Sequence, residues 1–521
     1  MPDATTIDAL IRCRAATYAD KPVVIDSDGR LSYAGLDTSS WELAAVLVQA
    51  GVGKGTRVGL IMPNSAAWVR TAIAVTRIGA VLVPLSTLLT PPELRAQLRA
   101  AAVQFLIGVE EFRGHRYFDG LPDERSVDLP ALQQVWPTGC LAAAAAGPGP
   151  VRVLDAMTES VTPSDQLVVM FTSGSSGPPK GVLHSHGSAL GAVASGLTAR
   201  CIDSDTRLYL PMPFFWVGGF GGGVLSALLA GATLITEEVP KPETTLSLLE
   251  SERVTLFRGW PDQAQALARH SGTTDLSALR PGSLEALLPP KLRAEPGARA
   301  NLFGMTESFG PYCGYAADTD LPEKAWGSCG QPFEGMEVRI VDLETGAPVP
   351  TGMIGMIQLR GPHILRGICG RTREETFTVD GYYPTGDLGR LDEDGFLYYH
   401  GRSDDMFKVS GATVYPGEVE KALRAIDAVT AASVTSVPDG GRFRVGAAVS
   451  GDGLTVDWLR EQARSLLSVF KVPTVWLLVE HPDAIPHGPT GKVDKLRLRE
   501  MLAAGLHTAS TSVNHQRRER K

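Results

Sequence analysis

Residues 42 to 108 alternate helical and strand signals through four successive elements, and this limits the fold more than any other feature. ELAAVLVQAGV has apolar residues at helical spacing and stops at Gly51, and RVGLIMPN is an apolar run closed by a turn. SAAWVRTAIAVTRIGA then reads as a second helix and VLVPLS as a second strand. Strands separated by helices need crossover connections, so the expected class is α/β, a parallel sheet covered by helices.

The chain has 521 residues, too many for one ordinary core, so more than one domain is expected. LAAAAAGPGP (141–150) reads as a low-complexity surface linker within the larger domain. QLVVMFTSGSSG is a strand running into a loop, and SHGSALGAVASGL is the helix after it. Beyond Gly335 the pattern shortens: MEVRIVDLETGAPVP and GMIGMIQLRGP are strands between Gly and Pro turns, a β-rich subdomain. GEVEKALRAI is a helix, and AASVTSV, FRVGAAVS, VDWLREQARSLLSVF and TVWLLVE make a small α+β unit at 407–506. The polar, basic tail 507–521 is expected to be disordered.

With 49 basic against 57 acidic residues, the net charge of −8 implies no basic surface, and nucleic acid is not an expected partner. Six cysteines lie scattered without ligand spacing, which suggests neither a disulfide framework nor a zinc site and fits a reducing, cytoplasmic setting. The N-terminal stretch is charged throughout and has no signal core, and the longest apolar run, Val224 to Ile235, is too short to span a bilayer. No integral membrane association is expected.

FTSGSSGPPKG (171–181) suits amides and hydroxyls that wrap a phosphate. It is not the GxxxxGK[ST] loop: from Gly174 that pattern meets Pro179 where it needs Gly and Gly181 where it needs Ser or Thr. Alone, the loop is equally a glycine-rich surface turn without a ligand.

Four further blocks follow it: GMTES (304–308), GSCGQPFEG (327–335), YPTGDLGRLDEDGFLYYHGRSDD (383–405) and GPTGKVDK (488–495). Together, over nearly the whole chain, the five blocks resemble the adenylate-forming superfamily of acyl-CoA synthetases, peptide-synthetase adenylation domains and luciferases. The resemblance implies a large N-terminal adenylation domain with several subdomains (1–401), a hinge (402–406) holding Asp404, and a small mobile C-terminal domain (407–506). The activity implied is attack of a carboxylate on the α-phosphate of ATP, with Mg²⁺, and then transfer of the acyl group to coenzyme A.

By the same resemblance, Thr172, Ser173, Gly174, Ser175, Ser176, Gly177 and Lys180 would cradle the outer phosphates. Phe303 would stack on adenine beside Gly304 and Met305, where the family often has Tyr, and Thr306 would contact the α-phosphate. Glu307 would hold Mg²⁺, a hard cation that needs few protein carboxylates when phosphate oxygens complete its shell. Asp387 would accept from the ribose hydroxyls, and Arg402 would touch ribose or phosphate unless it is only a surface ion pair. Lys492 would bridge carboxylate and α-phosphate as the main catalytic cation. The substrates supply nucleophile and electrophile, so His184 and His186 are read as structural.

LPMPFFWVGGFGGG (210–223) carries the substrate signal. Trp216 stands where the family often has His, and no acid is present to pair an α-ammonium, which disfavours an amino acid. Trp216, Val217, Gly218 and Gly304 are the expected acyl pocket. Phe214, Phe215 and Phe220 beside five glycines suggest an apolar slot or, equally for the first two, core packing. An aliphatic or aryl acid is expected. KVSG and FKVP resemble segments that contact coenzyme A, giving Lys408, Ser410, Gly411 and Lys471. Carrier-protein pantetheine would use the same tunnel, and a different acceptor, an unusual acid or a non-catalytic ligand-binding homologue remain alternatives. The oligomeric state is left open.

Overall fold

The computed structural model describes residues 5–121, 127–139, 151–172, 180–403, 405–409, 412–439, 442–488 and 492–504. The linker 141–150 and the tail 507–521 lie outside the described residues. Two compact units divide the chain. The larger comprises Met1–Val338, Leu359–Tyr383 and Asp394–Leu397; the smaller comprises Arg339–Gln358, Pro384–Glu393 and Tyr398–Lys521.

In the larger unit the alternating segment forms the middle of a seven-stranded sheet. Its order is Gly367–Ile368, Lys180–Ser185, Gln166–Thr172, Val81–Pro84, Arg57–Ile61, Phe105–Gly108, Gln134–Pro137. The last five are parallel and the first two join antiparallel at one edge. Strands such as VLVP and FLIG are buried at every position, which is why they read as unbroken apolar runs rather than alternating ones. A second sheet of five strands orders Leu256–Phe257, Arg207–Tyr209, Thr233–Ile235, Pro22–Asp26 and Gly29–Ser32, parallel except for the last.

The helix Ala66–Arg77 starts where Ser65 accepts a hydrogen bond from Trp68 N and Asp26 accepts one from Ala66 N. Its Trp68 is fully buried, and Val58, Leu60, Ile73, Val168, Leu208 and Leu234 share one core with it, so both sheets rest on the same helical layer. The sequence reading carries the loop to Gly181 and opens the helix at Ser185, with no strand over 180–185. Instead these residues are a strand, paired antiparallel with Gln166–Thr172, and the helix His186–Ser195 begins only after it.

In the smaller unit, Val429–Asp439, Arg442–Gly451 and Val475–Val479 form a sheet whose first pair is antiparallel and second parallel. Helices Pro416–Arg424 and Val456–Leu466 contribute Val419, Leu423, Leu459 and Ala463 to a core with Val434 and Ala447. The β-rich segment gives a four-stranded sheet in the order Glu337–Val341, Gly355–Arg360, Tyr383–Leu391, Leu397–Arg402. Among the described residues no helix is long and apolar enough to cross a membrane.

Candidate active site

The glycine-rich loop closes a hairpin. Thr172 and Lys180 face each other as register partners at its mouth, so the ends of the loop are fixed by sheet hydrogen bonds. A loop that returns into a strand offers no helix N-terminus, which is the physical reason the GxxxxGK[ST] pattern is broken here. Ser173, Gly174, Ser175, Ser176 and Gly177 lie outside the described residues.

Four residues beyond Lys180 on the same strand, His184 is fully buried. Its Nε2 lies 2.8 Å from the carbonyl oxygen of Thr306 and its ring stands edge-on to Phe309 at 4.9 Å. Donation to that carbonyl sets the Nε2–H tautomer, and burial lowers the ring to about 4, so it is neutral at pH 7. Both histidines read as structural are buried; His186 accepts from Ile7 N and burial likewise lowers it to about 4.

The GMTES block is a strand, Phe303–Met305, running into a single turn of 3-10 helix, Thr306–Ser308. Phe309 then takes a left-handed φ of 52° and the chain returns as the antiparallel strand Gly310–Gly314. Gly304 has a steric cause: a Cβ there would stand 2.1 Å from Gly310 O. Met305 N donates to Ser308 Oγ at 3.2 Å, and Glu307 O accepts from Leu365 N at 2.7 Å. The Glu307 carboxylate is buried and accepts from Tyr383 O–H at 2.9 Å. Among the described residues no basic side chain pairs with it, although buried carboxylates ordinarily are paired. It therefore has lone pairs free for a cation. Among the described residues no group of three or more His, Cys, Asp or Glu could enclose a metal, so the donor set fits Mg²⁺ arriving with phosphate oxygens of its own.

The acyl segment is pinned by a side chain that the sequence reading treats as a turn residue. Asn64 Nδ2 donates to Met212 O at 2.9 Å and its Oδ1 accepts from Phe214 N at 2.8 Å. Phe214 and Phe220 are fully buried edge-on to Trp68, at 5.3 and 5.6 Å, and Phe215 is also buried. Of the two readings held for Phe214 and Phe215, these contacts are those of core packing, Phe220 packs in the same core, and the neighbouring glycines are mostly filled by the chain itself. A Cβ at Gly219 would sit 2.0 Å from Pro213 O and one at Gly223 2.7 Å from Leu210. Phe220–Leu225 is a turn of π-helix, a form that packs the segment unusually wide. Trp216 is half-buried just before Val217 and Gly218, and lies edge-on to Trp260 at 6.1 Å. Trp260 follows the strand Leu256–Phe257 by three residues and carries no motif that would have marked it in the sequence.

In the smaller unit Asp387 is buried and Arg402 Nη1 lies 3.1 Å from its Oδ1 and 2.9 Å from Thr385 O. Ser403 N and Oγ both donate to Gly386 O at 2.8 Å, so GRS clasps the TGD turn. Arg402 is thus ion-paired with Asp387, a buried carboxylate and not a surface one. Asp404, Ser410 and Gly411 lie outside the described residues; Lys408 is the register partner of Thr413 in an antiparallel strand pair. Lys471 donates to Glu418 at 2.5 Å and is largely covered. The two lysines of GKVDK differ: Lys495 is tied to Glu420 Oε1 at 3.0 Å and Val434 O at 2.8 Å. Lys492 is exposed, and its ammonium has no hydrogen bond or ion pair among the described residues.

The family model described as AMP-binding enzyme matches residues 11–369, a span that includes the hairpin, the acyl segment and GMTES. The chain belongs to the AMP-binding enzyme family. A "3-[(3aS,4S,7aS)-7a-methyl-1,5-dioxo-octahydro-1H-inden-4-yl]propanoyl:CoA ligase" of Mycobacterium tuberculosis is 32% identical over 96% of this chain and 99% of its own. A feruloyl-CoA synthase of Amycolatopsis is 34% identical over 90% of this chain and 93% of its own. Among solved structures, a Mycobacterium tuberculosis fatty acyl CoA synthetase superposes with a TM-score of 0.73 at 26% identity, covering 96% of this chain and 99% of that one. For an AMP-binding enzyme, the residues that sequence reasoning missed are His184 as a support of Thr306, Tyr383, Asn64 and Trp260. Each acts through a partner far along the chain, 122 residues away for His184 and 76 for Tyr383.

Proposed function

We infer that the protein is an AMP-forming acid–thiol ligase: it activates a carboxylic acid with ATP as the acyl-adenylate and passes the acyl group to coenzyme A. The observation that carries this reading is the buried Glu307 carboxylate, uncompensated by any basic residue among those described and set on the turn beside Thr306. A carboxylate kept dry without a cation is costly, and Mg²⁺ brought by ATP would relieve that cost. Bound there, Mg²⁺ would draw charge from the phosphates.

The remaining roles are assigned to this chain's own groups. Thr172 and Lys180 hold the outer phosphates with residues 173–177, Phe303 offers a ring face to adenine, and Thr306 contacts the α-phosphate. Asp387 turns from Arg402 to the ribose hydroxyls. Lys492, the lysine of its block without a partner among the described residues, bridges the attacking carboxylate and the α-phosphate and stabilises the charge that grows as pyrophosphate leaves. Lys408, Ser410 and Gly411 line the pantetheine path after a hinge movement about Asp404, and Lys471, already neutralised by Glu418, lies at its nucleotide end. ATP and coenzyme A are cytoplasmic metabolites, so we assign the enzyme to that compartment.

For the acid, we propose an apolar substrate with a ring. Trp216 and Trp260 offer edge and face surfaces to an aromatic or alicyclic body, and the two relatives above are named for an indenyl propanoyl and a feruloyl thioester. The test is a panel of aliphatic, aryl and alicyclic acids with ATP and Mg²⁺, with and without coenzyme A. Acid-dependent pyrophosphate release and a coenzyme A thioester are expected. Pyrophosphate exchange without thioester would redirect the reading to another acceptor such as a carrier protein, and no exchange with any acid would indicate a binding homologue.

A further inference from the structure

Glu307 is held at two points in the larger unit. Its backbone is fixed through Leu365 N to Glu307 O at 2.7 Å, and its carboxylate through Tyr383 O–H at 2.9 Å. Tyr383 is itself buried, at 7% exposure, with its ring edge-on to Phe377 at 6.3 Å, so the hydroxyl is rigidly aimed. The chemistry of that partner matters. An ammonium or guanidinium in its place would neutralise the carboxylate and compete with any incoming cation. A phenol donates one hydrogen bond, occupies one of about four lone-pair positions and leaves the negative charge in place. The next residue back offers a contrast: Tyr382 donates to Glu337 at 2.9 Å, but Glu337 is already paired with Arg360 at 2.5 Å. The same phenol chemistry therefore serves a neutralised surface carboxylate in one case and a bare buried one in the other.

We propose that Tyr383 is a positioning residue for the metal that accompanies ATP, orienting the Glu307 carboxylate so that its second oxygen meets the cation without a rearrangement. This rests on the reading of Glu307 as the protein's ligand to Mg²⁺. Donors that orient a metal-binding group from behind typically contribute about 10- to 100-fold in metal affinity when removed. Here phosphates supply much of the coordination, and the lower end is expected.

The test is calorimetric binding of ATP to the full chain, without acid substrate, in EDTA and in saturating Mg²⁺. The ratio of the two affinities isolates the metal's contribution from that of the nucleotide. Tyr383→Phe is expected to leave affinity in EDTA unchanged and to reduce the Mg²⁺-dependent gain roughly tenfold. Tyr382→Phe should behave as the parent. Tyr383→His, which keeps a ring and an N–H donor, should recover part of the gain and serves as well if the phenylalanine variant does not fold. If Glu307→Gln removes the gain while Tyr383→Phe keeps it, the positioning role is wrong and the reading of Glu307 stands. If Tyr383→Phe weakens binding equally in EDTA, the residue is merely structural. A Glu307→Gln protein that keeps the gain removes the Glu307 reading itself, and this proposal with it.

Discussion

At the scale of single residues, the chemistry rests on a few charges with unequal freedom. Lys492 and Lys495 are three apart in one block, yet Lys495 is anchored to Glu420 and Val434 while Lys492 is uncommitted among the described residues. Lys492→Ala should lower acid-dependent pyrophosphate exchange by about two to three orders of magnitude, the loss expected for a preorganised cation at developing charge. Thioester formation from supplied acyl-adenylate and coenzyme A should remain within a few-fold of the parent, and equal loss in both assays would remove the assignment. Trp216 is the residue that faces the acid on this account. Trp216→Ala should widen the range of ring sizes accepted and reduce kcat/KM for the preferred acid about tenfold or more, as removing a large apolar wall does. The motif blocks were legible at this scale because each packs its charges into a few consecutive residues. Tyr383, Asn64 and Trp260 were not, because each matters only through a partner brought near by folding.

At the scale of elements, two hairpins carry the residues proposed for the phosphates and the metal. The strand Lys180–Ser185 begins at the mouth of the glycine-rich loop and, four residues on, supports Thr306 through His184. Its sequence, KGVLHS, follows two prolines and is short, so periodicity alone could not separate strand from loop. The parallel strands were legible because burial on both faces makes them continuous apolar runs. The glycines of 218–223 are ambiguous in sequence for a physical reason: glycine marks close approach of any neighbour, ligand or chain, and at Gly219 and Gly223 the neighbours are Pro213 O and Leu210. The Phe303–Met305 hairpin has the same tightness, so Gly304→Ala should force its two strands apart. Adenylation should fall at least a hundredfold, with lowered thermal stability, since a Cβ 2.1 Å from Gly310 O cannot be relieved by a side-chain movement.

At the scale of the whole molecule, pH and hinge motion provide the tests. Burial lowers His184 and His186 to about 4, below the ordinary histidine value of 6.5, so the unfolded chain binds more protons than the folded one between those limits. Their contribution to stability is full above about pH 6.5 and is lost as pH falls toward 4. The slope is up to about 1.4 kcal/mol per pH unit for each histidine. Urea midpoints at pH 7 and pH 5 should therefore differ, and His186→Gln should reduce that difference; an unchanged difference would exclude the contribution of His186. For the hinge assigned from sequence, Asp404→Pro would lock φ and should spare pyrophosphate exchange while suppressing thioester formation.

The central claim is settled by the nucleotide product. Purified protein given ATP, Mg²⁺, coenzyme A and an accepted ring-bearing acid should release AMP and pyrophosphate, one of each per thioester, followed by phosphorus NMR. Release of ADP and inorganic phosphate, or thioester formed without stoichiometric AMP, would contradict the account.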